Sequence, residues 1–437
     1  MSCGMTGRTA VNAFAVCFGL LGACAAARPT VAPSPSATPG VSRAPDAADA
    51  GAPDRAPRPP TLTPLTAEEI DALRPLLSRG PAFVVRNPDG GAQARITLVH
   101  RSRASMAQLH HVVSTPAEYT RFMPILRSVE VLSEHGPRTA FRFHVAAPLF
   151  DVTALCNLHA VSPRRVDVNI TESEAGPAGS RWDLSPEGDG SLLSMSTWGD
   201  PSQGHWLLRQ VARRSPTSIA GMNIAAGSVL GLGAARRAEI LAGLATEVRP
   251  AQGVADAGVL APPPPGPWMA LARDASVVSM QLTPEGAVRQ VTVAAWTPVG
   301  AEPILARLRA VEGYTRVWGS FREVEVLPRE ADDPEGSVRF RSRVETPLTR
   351  LQGIQRLRVS GNTVWHDGLT GEFAGGGHRW DIVEGVAGGT VVLLTGGSDL
   401  QRAGWITRAM ISMDPWLAVG FAGSWKIVWL RNFLRAV

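Results

Sequence analysis

The histidines are the residues whose chemistry could most readily support acid–base catalysis. His110 and His111 are adjacent on a predicted helix and therefore face different directions. His144 and His159 lie on predicted strands, from which either could point into a cavity as a general acid or base. A histidine that is hydrogen-bonded in the fold or exposed is the commoner alternative, so the histidines alone do not define an active site.

The carboxylates give no clearer catalytic pattern. Asp183 and Asp381 directly follow Trp182 and Trp380, and strand alternation predicts that each aspartate lies on the opposite face from its tryptophan, beside the preceding arginine. The chain contains no HExxH, G-x-S-x-G or P-loop motif, and no strand-linked G-x-G-x-x-G. These absences favour a non-catalytic protein, with no catalytic residues, no metal site and no cofactor.

The first residues resemble a bacterial lipoprotein leader. Arg8 precedes an apolar stretch of 15 residues, 9–23, which is shorter than the span of about 20 that crosses a membrane. The stretch ends in a Leu-Gly-Ala-Cys sequence similar to a lipobox, which predicts a signal peptide over 1–23 and lipidation of Cys24. Cleavage within Ala23–Ala27 without a lipid is the alternative. Ala25 favours the outer membrane of a Gram-negative host, so we expect an exported protein, lipid-anchored in the cell envelope or facing the periplasm.

Composition limits the partners of the remaining chain. Residues 24–64 are rich in proline and predict a disordered tether. Apart from the predicted lipidation site Cys24, Cys156 is the one cysteine beyond the leader, and a lone cysteine offers neither a disulfide nor a zinc pair, which favours a small buried hydrophobe. The net charge of +5 is not concentrated in a basic stripe, so no nucleic-acid partner is predicted.

The rest of the chain is a tandem duplication. Residues 118–132 read EYTRFMPILRSVEVL and residues 313–327 read GYTRVWGSFREVEVL, with eight of the fifteen positions identical. Further downstream, SRWD in the first copy corresponds to HRWD in the second, and Trp206 corresponds to Trp405 at an offset of 199 residues. We therefore predict a first copy over 65–248, a proline-rich linker over 249–267 and a second copy over 268–437.

Each copy shows the same order of predicted elements. A strand hairpin with Pro and Gly in its turn comes first, followed by short helices, a run of alternating strands and one long helix, roughly 217–245 and 415–435. Strands in a run with a single long helix indicate an α+β fold built on an antiparallel sheet. The uncharged stretch 218–235 of the first long helix could insert into a membrane or form a dimer, but a helix packed on the sheet is favoured.

These segments resemble the START-like superfamily, also called SRPBCC or helix-grip, and within it the polyketide cyclase/dehydrase and coenzyme Q-binding branch. The resemblance is carried by EYTRFMPILRSVEVL and by SRWDLSPEGDGSLLSMST at 180–197. The second copy departs from it, with Val317-Trp318-Gly319 in place of Phe122-Met123-Pro124. The resemblance implies two tandem helix-grip domains, each a curved antiparallel sheet around a long C-terminal helix that closes an apolar cavity.

The cavity implied by the resemblance gives the candidate binding residues. We expect nine side chains to be candidates for lining the cavities: Phe122, Phe143, His144, Met195, Met222, Ile224, Trp318, Trp365 and Trp416. The tryptophans of the second copy could line its cavity or fill it, and core packing is the favoured alternative for each. The first copy is therefore the expected binder.

We predict non-catalytic binding, and possible transfer, of a hydrophobic small molecule such as a lipid, quinone, sterol-like compound or polyketide. The membrane would be a second partner through the lipid anchor. Two alternatives remain open from the sequence. One is an aromatase/cyclase-like enzyme, which would need His144 or His159 in the cavity beside an acid. The other is a structural or interaction module of the envelope, in which both copies have filled cores.

Overall fold

The computed structural model describes residues 61–147, 150–246, 261–283, 286–345, 350–397 and 405–437. The predicted signal peptide, the lipidation site Cys24 and most of the predicted tether and linker lie outside these ranges. The two copies are described in turn.

The first copy combines eight strands with six helices. Its strands are β1 Ala82–Arg86, β2 Arg95–Ser102, β3 Leu126–His135, β4 Arg138–Ala147, β5 Phe150–Ser162, β6 Arg165–Ser173, β7 Ala178–Glu187 and β8 Gly190–Gly199. Its helices are α1 Ala67–Leu77, α2 Met106–Ser114, α3 Tyr119–Phe122, α4 Trp206–Arg214, α5 Pro216–Gly227 and α6 Gly233–Leu241. A π-helical turn, Ser228–Leu232, joins α5 to α6.

The second copy repeats this order. Its strands are β9 Ala275–Leu282, β10 Val288–Thr297, β11 Phe321–Leu327, β12 Val338–Glu345, β13 Arg350–Ser360, β14 Thr363–Gly368, β15 Gly377–Val386 and β16 Gly389–Gly397. Its helices are α7 Trp268–Leu271, α8 Ala301–Arg309, α9 Tyr314–Val317, α10 Trp405–Met413 and α11 Trp416–Ala436. The predicted α+β class is confirmed.

The long helix of the first copy differs from the prediction. The sequence predicted one helix over roughly 217–245, and the structure has a continuous helix over Pro216–Leu241 that is interrupted in its α-helical pattern by the π-helical turn and ends earlier than predicted. Within the described residues, the span Pro216–Leu241 is the one helix long and apolar enough to cross a membrane, and most of it is buried inside the protein. This burial agrees with a helix packed on the sheet.

All sixteen described strands form one antiparallel sheet. Strand β1 pairs with β2 on one side and with β9 of the second copy on the other, with Val84 opposite Val277. From this central pair the strands follow the same sequence outward in each copy and end at β3 and β11. The backbone hydrogen bonds of β1 and β9 therefore join the copies into one continuous sheet.

Helices α5 and α11 pack closely against each other above this junction. A methyl group added at Gly420 would lie 2.5 Å from Ala225 Cα, so the two backbones are nearly in contact. Ser424 Oγ donates a hydrogen bond to the Gly221 carbonyl across the contact. Asp89 of the first copy also accepts hydrogen bonds from Arg431, at 3.0 Å from Nε, and from Thr217. Small residues in both helices are what make this approach possible.

We expect Gly420→Ala to lower the free energy of unfolding by about 1–3 kcal/mol, because the added methyl group meets backbone atoms that cannot move away. The matched control is Gly227→Ala, whose methyl group would lie 3.4 Å from the ring of Phe83. Alanine is the better helix former, so the control should be unchanged or more stable by up to about 1 kcal/mol. Urea unfolding followed by tryptophan fluorescence measures both, and equal destabilisation of the two variants would contradict the argument.

Candidate functional site

A cavity of about 340 Å³ lies in the first copy between the inner face of the sheet and the long helix. Strand alternation sets which side chains reach it. Phe141, Phe143 and Val145 point inward from β4, and Val152 and Cys156 point inward from β5. Strands β6 and β7 complete this wall with Val168, Ile170 and Trp182. The wall is therefore built from apolar side chains at every second residue.

The helical wall is made of small and aliphatic residues. Met222, Ala225 and Ala226 reach the cavity from α5, and Val229 and Leu230 reach it from the π-helical turn. A π-helical turn contains one extra residue relative to an α-helix, and such turns are frequent at functional sites. Here the turn places two aliphatic side chains next to each other on the cavity side.

The second copy supplies part of the lining. Met410 from α10 and Leu417 and Phe421 from α11 border the cavity of the first copy. They reach it because α11 packs against α5. The binding space of the first copy is therefore completed by the helices of the second.

The polar groups around the cavity are almost all satisfied by protein atoms. Trp182 Nε1 donates to Ser180 Oγ at 3.0 Å, Thr197 donates to the Gly179 carbonyl at 3.1 Å, and Tyr119 donates to the Val113 carbonyl at 2.9 Å. Burial raises the pKa of the Cys156 thiol to about 12, so this thiol is neutral. The exception is Asn223, whose Nδ2 is buried without a hydrogen-bond partner among the described residues. The cavity is thus mostly apolar, with Asp200 as the one charged residue in its lining and Asn223 as a buried amide without a partner for its Nδ2 among the described residues.

Two of the nine predicted cavity residues, Phe143 and Met222, line this cavity. His144 lies on the other face of β4, because it alternates with Phe143 and Val145. Phe122 packs beside Tyr119, with ring centroids 5.2 Å apart, and contacts Gly233. These side chains are part of the fold around the cavity and do not form its wall.

The remaining helix- and sheet-facing candidates also lie elsewhere. Met195 is buried where the sheet meets Gly227 and Gly231, and Ile224 faces Gly423 of α11. Trp416 packs against Gly233 of the first copy. Trp365 lies on the outer face of the second copy, where Arg358 and Arg379 stack on its ring at 5.4 and 5.5 Å.

The condition for the enzymatic alternative is not met in the described cavity. His144 and His159 both occupy positions that alternate with cavity-lining residues of β4 and β5, and neither lines the cavity. Asp183 forms an ion pair with Arg181 at 2.8 Å, and Asp381 forms one with Arg379 at 2.7 Å. This confirms the predicted pairing.

The interior of the second copy is filled by aromatic side chains. Trp318 and Phe321 occupy the positions of Met123 and Leu126, which line the cavity of the first copy. Trp318 lies within 5.6 Å of Trp429 and of Phe433, measured between ring centroids, and donates from Nε1 to the Trp429 carbonyl at 3.1 Å. Larger rings on the same framework therefore occupy the space that the first copy leaves open.

A lysine lies within this aromatic interior. Lys426, the single lysine of the chain, is fully buried on α11, and its Nζ has no hydrogen-bond partner among the described residues. Burial lowers the pKa of Lys426 to about 7. Burial also lowers the pKa of His378 nearby, and the positive charge of Lys426 adds to this effect. Between them lies Gly396, where a methyl group would come within 2.9 Å of Lys426 Cε.

Lys426→Met should stabilise the protein at neutral pH. Between pH 7 and about 10 the unfolded chain binds a proton at this amine that the folded chain lacks, so the wild type becomes more stable as pH rises through this window. The advantage of the variant should therefore shrink by about 1.4 kcal/mol per pH unit from pH 7 to pH 10. Urea unfolding across this range measures it. Leu430→Met on the same helix is the control, and its difference from wild type should not vary with pH. If the difference in free energy of unfolding between Lys426→Met and the wild type did not change with pH, this would contradict a buried, neutral amine.

No family model and no curated protein matches the sequence. Several solved structures are similar to it. TTHA0849 from Thermus thermophilus is 16% identical, and the match covers 35% of this chain and 99% of that one, with a TM-score of 0.29. The di-domain aromatase/cyclase StfQ from the steffimycin biosynthetic pathway is 10% identical, with 78% and 99% covered and a TM-score of 0.24.

A START superfamily protein from Mycobacterium smegmatis is 15% identical, with 34% of this chain and 98% of that one covered and a TM-score of 0.28. Single-domain matches cover about a third of the chain, and the di-domain match covers most of it. The described parts of the chain form two successive copies of one α+β unit, each an antiparallel run of strands with a long C-terminal helix.

Proposed function

We propose that the protein binds a hydrophobic small molecule or lipid in the cavity of its first copy, without making or breaking bonds in it. The observation that carries this proposal is the cavity itself: about 340 Å³, walled by apolar side chains, with no charged side chain on its inner wall other than the rim residue Asp200. Pockets for small ligands typically have volumes of about 300–1,000 Å³ and a few orienting polar groups. This cavity fits the lower part of that range.

The chemistry of the wall supports a class of ligand. Burial of apolar ligand surface contributes about 25 cal/mol per Å², which gives the main driving force. Asn223 Nδ2 offers one donor to a carbonyl or hydroxyl oxygen. A compact apolar body with one such oxygen is found in lipids, quinones, sterol-like compounds and polyketides, and these are the proposed ligands.

The cellular setting is also a proposal. The lipobox-like sequence ending at Cys24 and the proline-rich segment 24–64 support a lipid anchor followed by an extended tether. In that arrangement the binding domain would be held near the surface of a membrane in the cell envelope. Ligand exchange with that membrane would be its transfer function.

Filling the cavity with the residues of the second copy should abolish binding. In the double variant Met123→Trp/Leu126→Phe, the side chains of Trp318 and Phe321 are introduced at the matching positions of the first copy. We expect native mass spectrometry to detect a co-purifying hydrophobic ligand in the wild type and its loss in the double variant, with the fold retained.

The matched control is Met195→Leu, which also introduces the residue of the second copy, Leu394, but behind the cavity wall. It should keep the ligand. A wild-type protein that never carries or takes up an apolar ligand would refute the proposal, as would a double variant that binds as well as the wild type.

Asn223→Leu should weaken the binding of ligands that carry a carbonyl oxygen more than the binding of purely apolar ligands. The variant loses the one available donor and keeps the apolar wall. We expect the affinity for menadione, a methylated naphthoquinone, to fall about tenfold, the equivalent of one neutral hydrogen bond, and the affinity for methylnaphthalene to be unchanged or increased. Titration followed by quenching of tryptophan fluorescence measures both. Equal losses for the two compounds would exclude Asn223 as the orienting group.

A further inference from the structure

We propose that the second copy contains a binding site for a carboxylate group, formed by Lys426, His378, Trp380 and Trp429. This donor cluster lies in the aromatic interior of the second copy and is separate from the cavity of the first. The proposed ligand is a short monocarboxylate.

The four side chains present nitrogen atoms that lack acceptors. Lys426 Nζ, His378 Nδ1, Trp380 Nε1 and Trp429 Nε1 are all buried, and none has a hydrogen-bond partner among the described residues. The rings of His378 and Trp429 are 4.8 Å apart between centroids, and those of Trp380 and Trp429 are 6.1 Å apart. Lys426 precedes Trp429 by three residues and so lies on the same face of α11. Buried donors without acceptors destabilise a protein, so four in one place require an explanation.

The duplication shows that the cluster arose through coordinated differences between the copies. Three positions of the first copy differ in the second, giving the pairs Ser180/His378, Thr197/Gly396 and Gly227/Lys426. A side chain at Gly396 would clash, because its first carbon would lie 2.5 Å from His378 Nδ1 and 2.9 Å from Lys426 Cε. The second copy thus has glycine, Gly396, at the position of Thr197, and a side chain there would clash with His378 and Lys426.

The same differences leave a tryptophan without its acceptor. In the first copy, Trp182 Nε1 donates to Ser180 Oγ at 3.0 Å. In the second copy His378 occupies the serine position, and Trp380 Nε1 has no partner among the described residues. The indole nitrogen that is hydrogen-bonded in the first copy therefore corresponds to a donor, Trp380 Nε1, that is unpaired within the described part of the second copy.

The donor set favours an anionic oxygen ligand. The tryptophan nitrogens only donate, the lysine amine donates in both of its protonation states, and a carboxylate offers two oxygens with about four acceptor positions. No described acidic side chain forms an ion pair with Lys426, and the other titratable groups close to the cluster are His366 and Tyr314, which hydrogen-bond each other at 3.0 Å. A bound carboxylate would stabilise the ammonium form of Lys426, whereas a cation would disfavour that form and a neutral carbonyl would leave its charge unpaired.

The cluster lies close to the protein surface on the side of His378. His378 is partly exposed although its Nδ1 is buried, and it directly follows the glycines 375–377. Deeper in the site, the rings of Trp318 and Phe433 stack at 5.6 Å and limit the space. In the proposed complex the ligand enters beside His378 and places its carboxylate among the four nitrogens.

Lys426 gives a direct test because it is the only lysine of the chain. Isotope-labelled lysine should give one side-chain resonance, whose nitrogen shift reports the protonation of the amine. Butyrate titrated into the full chain at pH 8 should move this resonance saturably from the neutral amine to the ammonium position. The same titration with chloride at equal ionic strength should not. An absent response, or equal responses to butyrate and chloride, would overturn the proposal.

Thermal unfolding provides the second measurement. Butyrate should raise the midpoint of the wild type in a concentration-dependent way, because a ligand that binds only the folded state stabilises it. Lys426→Met, which should fold at least as stably, should lose this effect. Met123→Trp/Leu126→Phe should keep it, since its changes lie in the first copy. A shift that persists in Lys426→Met, or that disappears in the first-copy variant, would refute a site at the donor cluster.

Discussion

The close contact between α5 and α11 is the constraint on which the arrangement of the two copies depends. Their backbones approach to a distance that only glycine at position 420 allows, and β1 pairs with β9 beneath them. Helix-to-helix and strand-to-strand contacts therefore reinforce each other at one junction. Because α11 is held there, Leu417 and Phe421 reach the cavity of the first copy. The lining of this cavity consequently comes from both copies.

The two copies share a framework but differ in their interiors, one of which contains a cavity while the other is filled. The first copy has Met123 and Leu126 where the second has Trp318 and Phe321, and the change in side-chain volume converts an open interior into a filled one. A filled core contributes more to stability because every cavity costs free energy. The second copy can therefore stabilise the shared sheet and helix pair, while the first retains an empty volume for a ligand.

The sequence predicted the architecture well because it contained the pattern twice. The shared Y-T-R and R-W-D segments defined the copies, and the strand run with its long helix defined the class. The binding residues were harder to predict. Alternation along β4 would have grouped Phe141 and Val145 with Phe143 and excluded His144. Met410 and Phe421 could not be found in this way, because their positions depend on how α10 and α11 pack against the first copy.

The continuous sheet has a consequence at its two ends. Since β1 and β9 cover each other's edges, β3 and β11 are the outermost of the described strands, and the duplication makes them equivalent. Exposed strand edges can add strands from other molecules and so promote aggregation. Both edges carry a β-bulge and rows of glutamates paired with arginines, such as Glu130 with Arg142 and Glu323 with Arg343. Joining two domains edge to edge thus halves the number of free sheet edges, and charge and irregular pairing protect the two that remain against polymerisation.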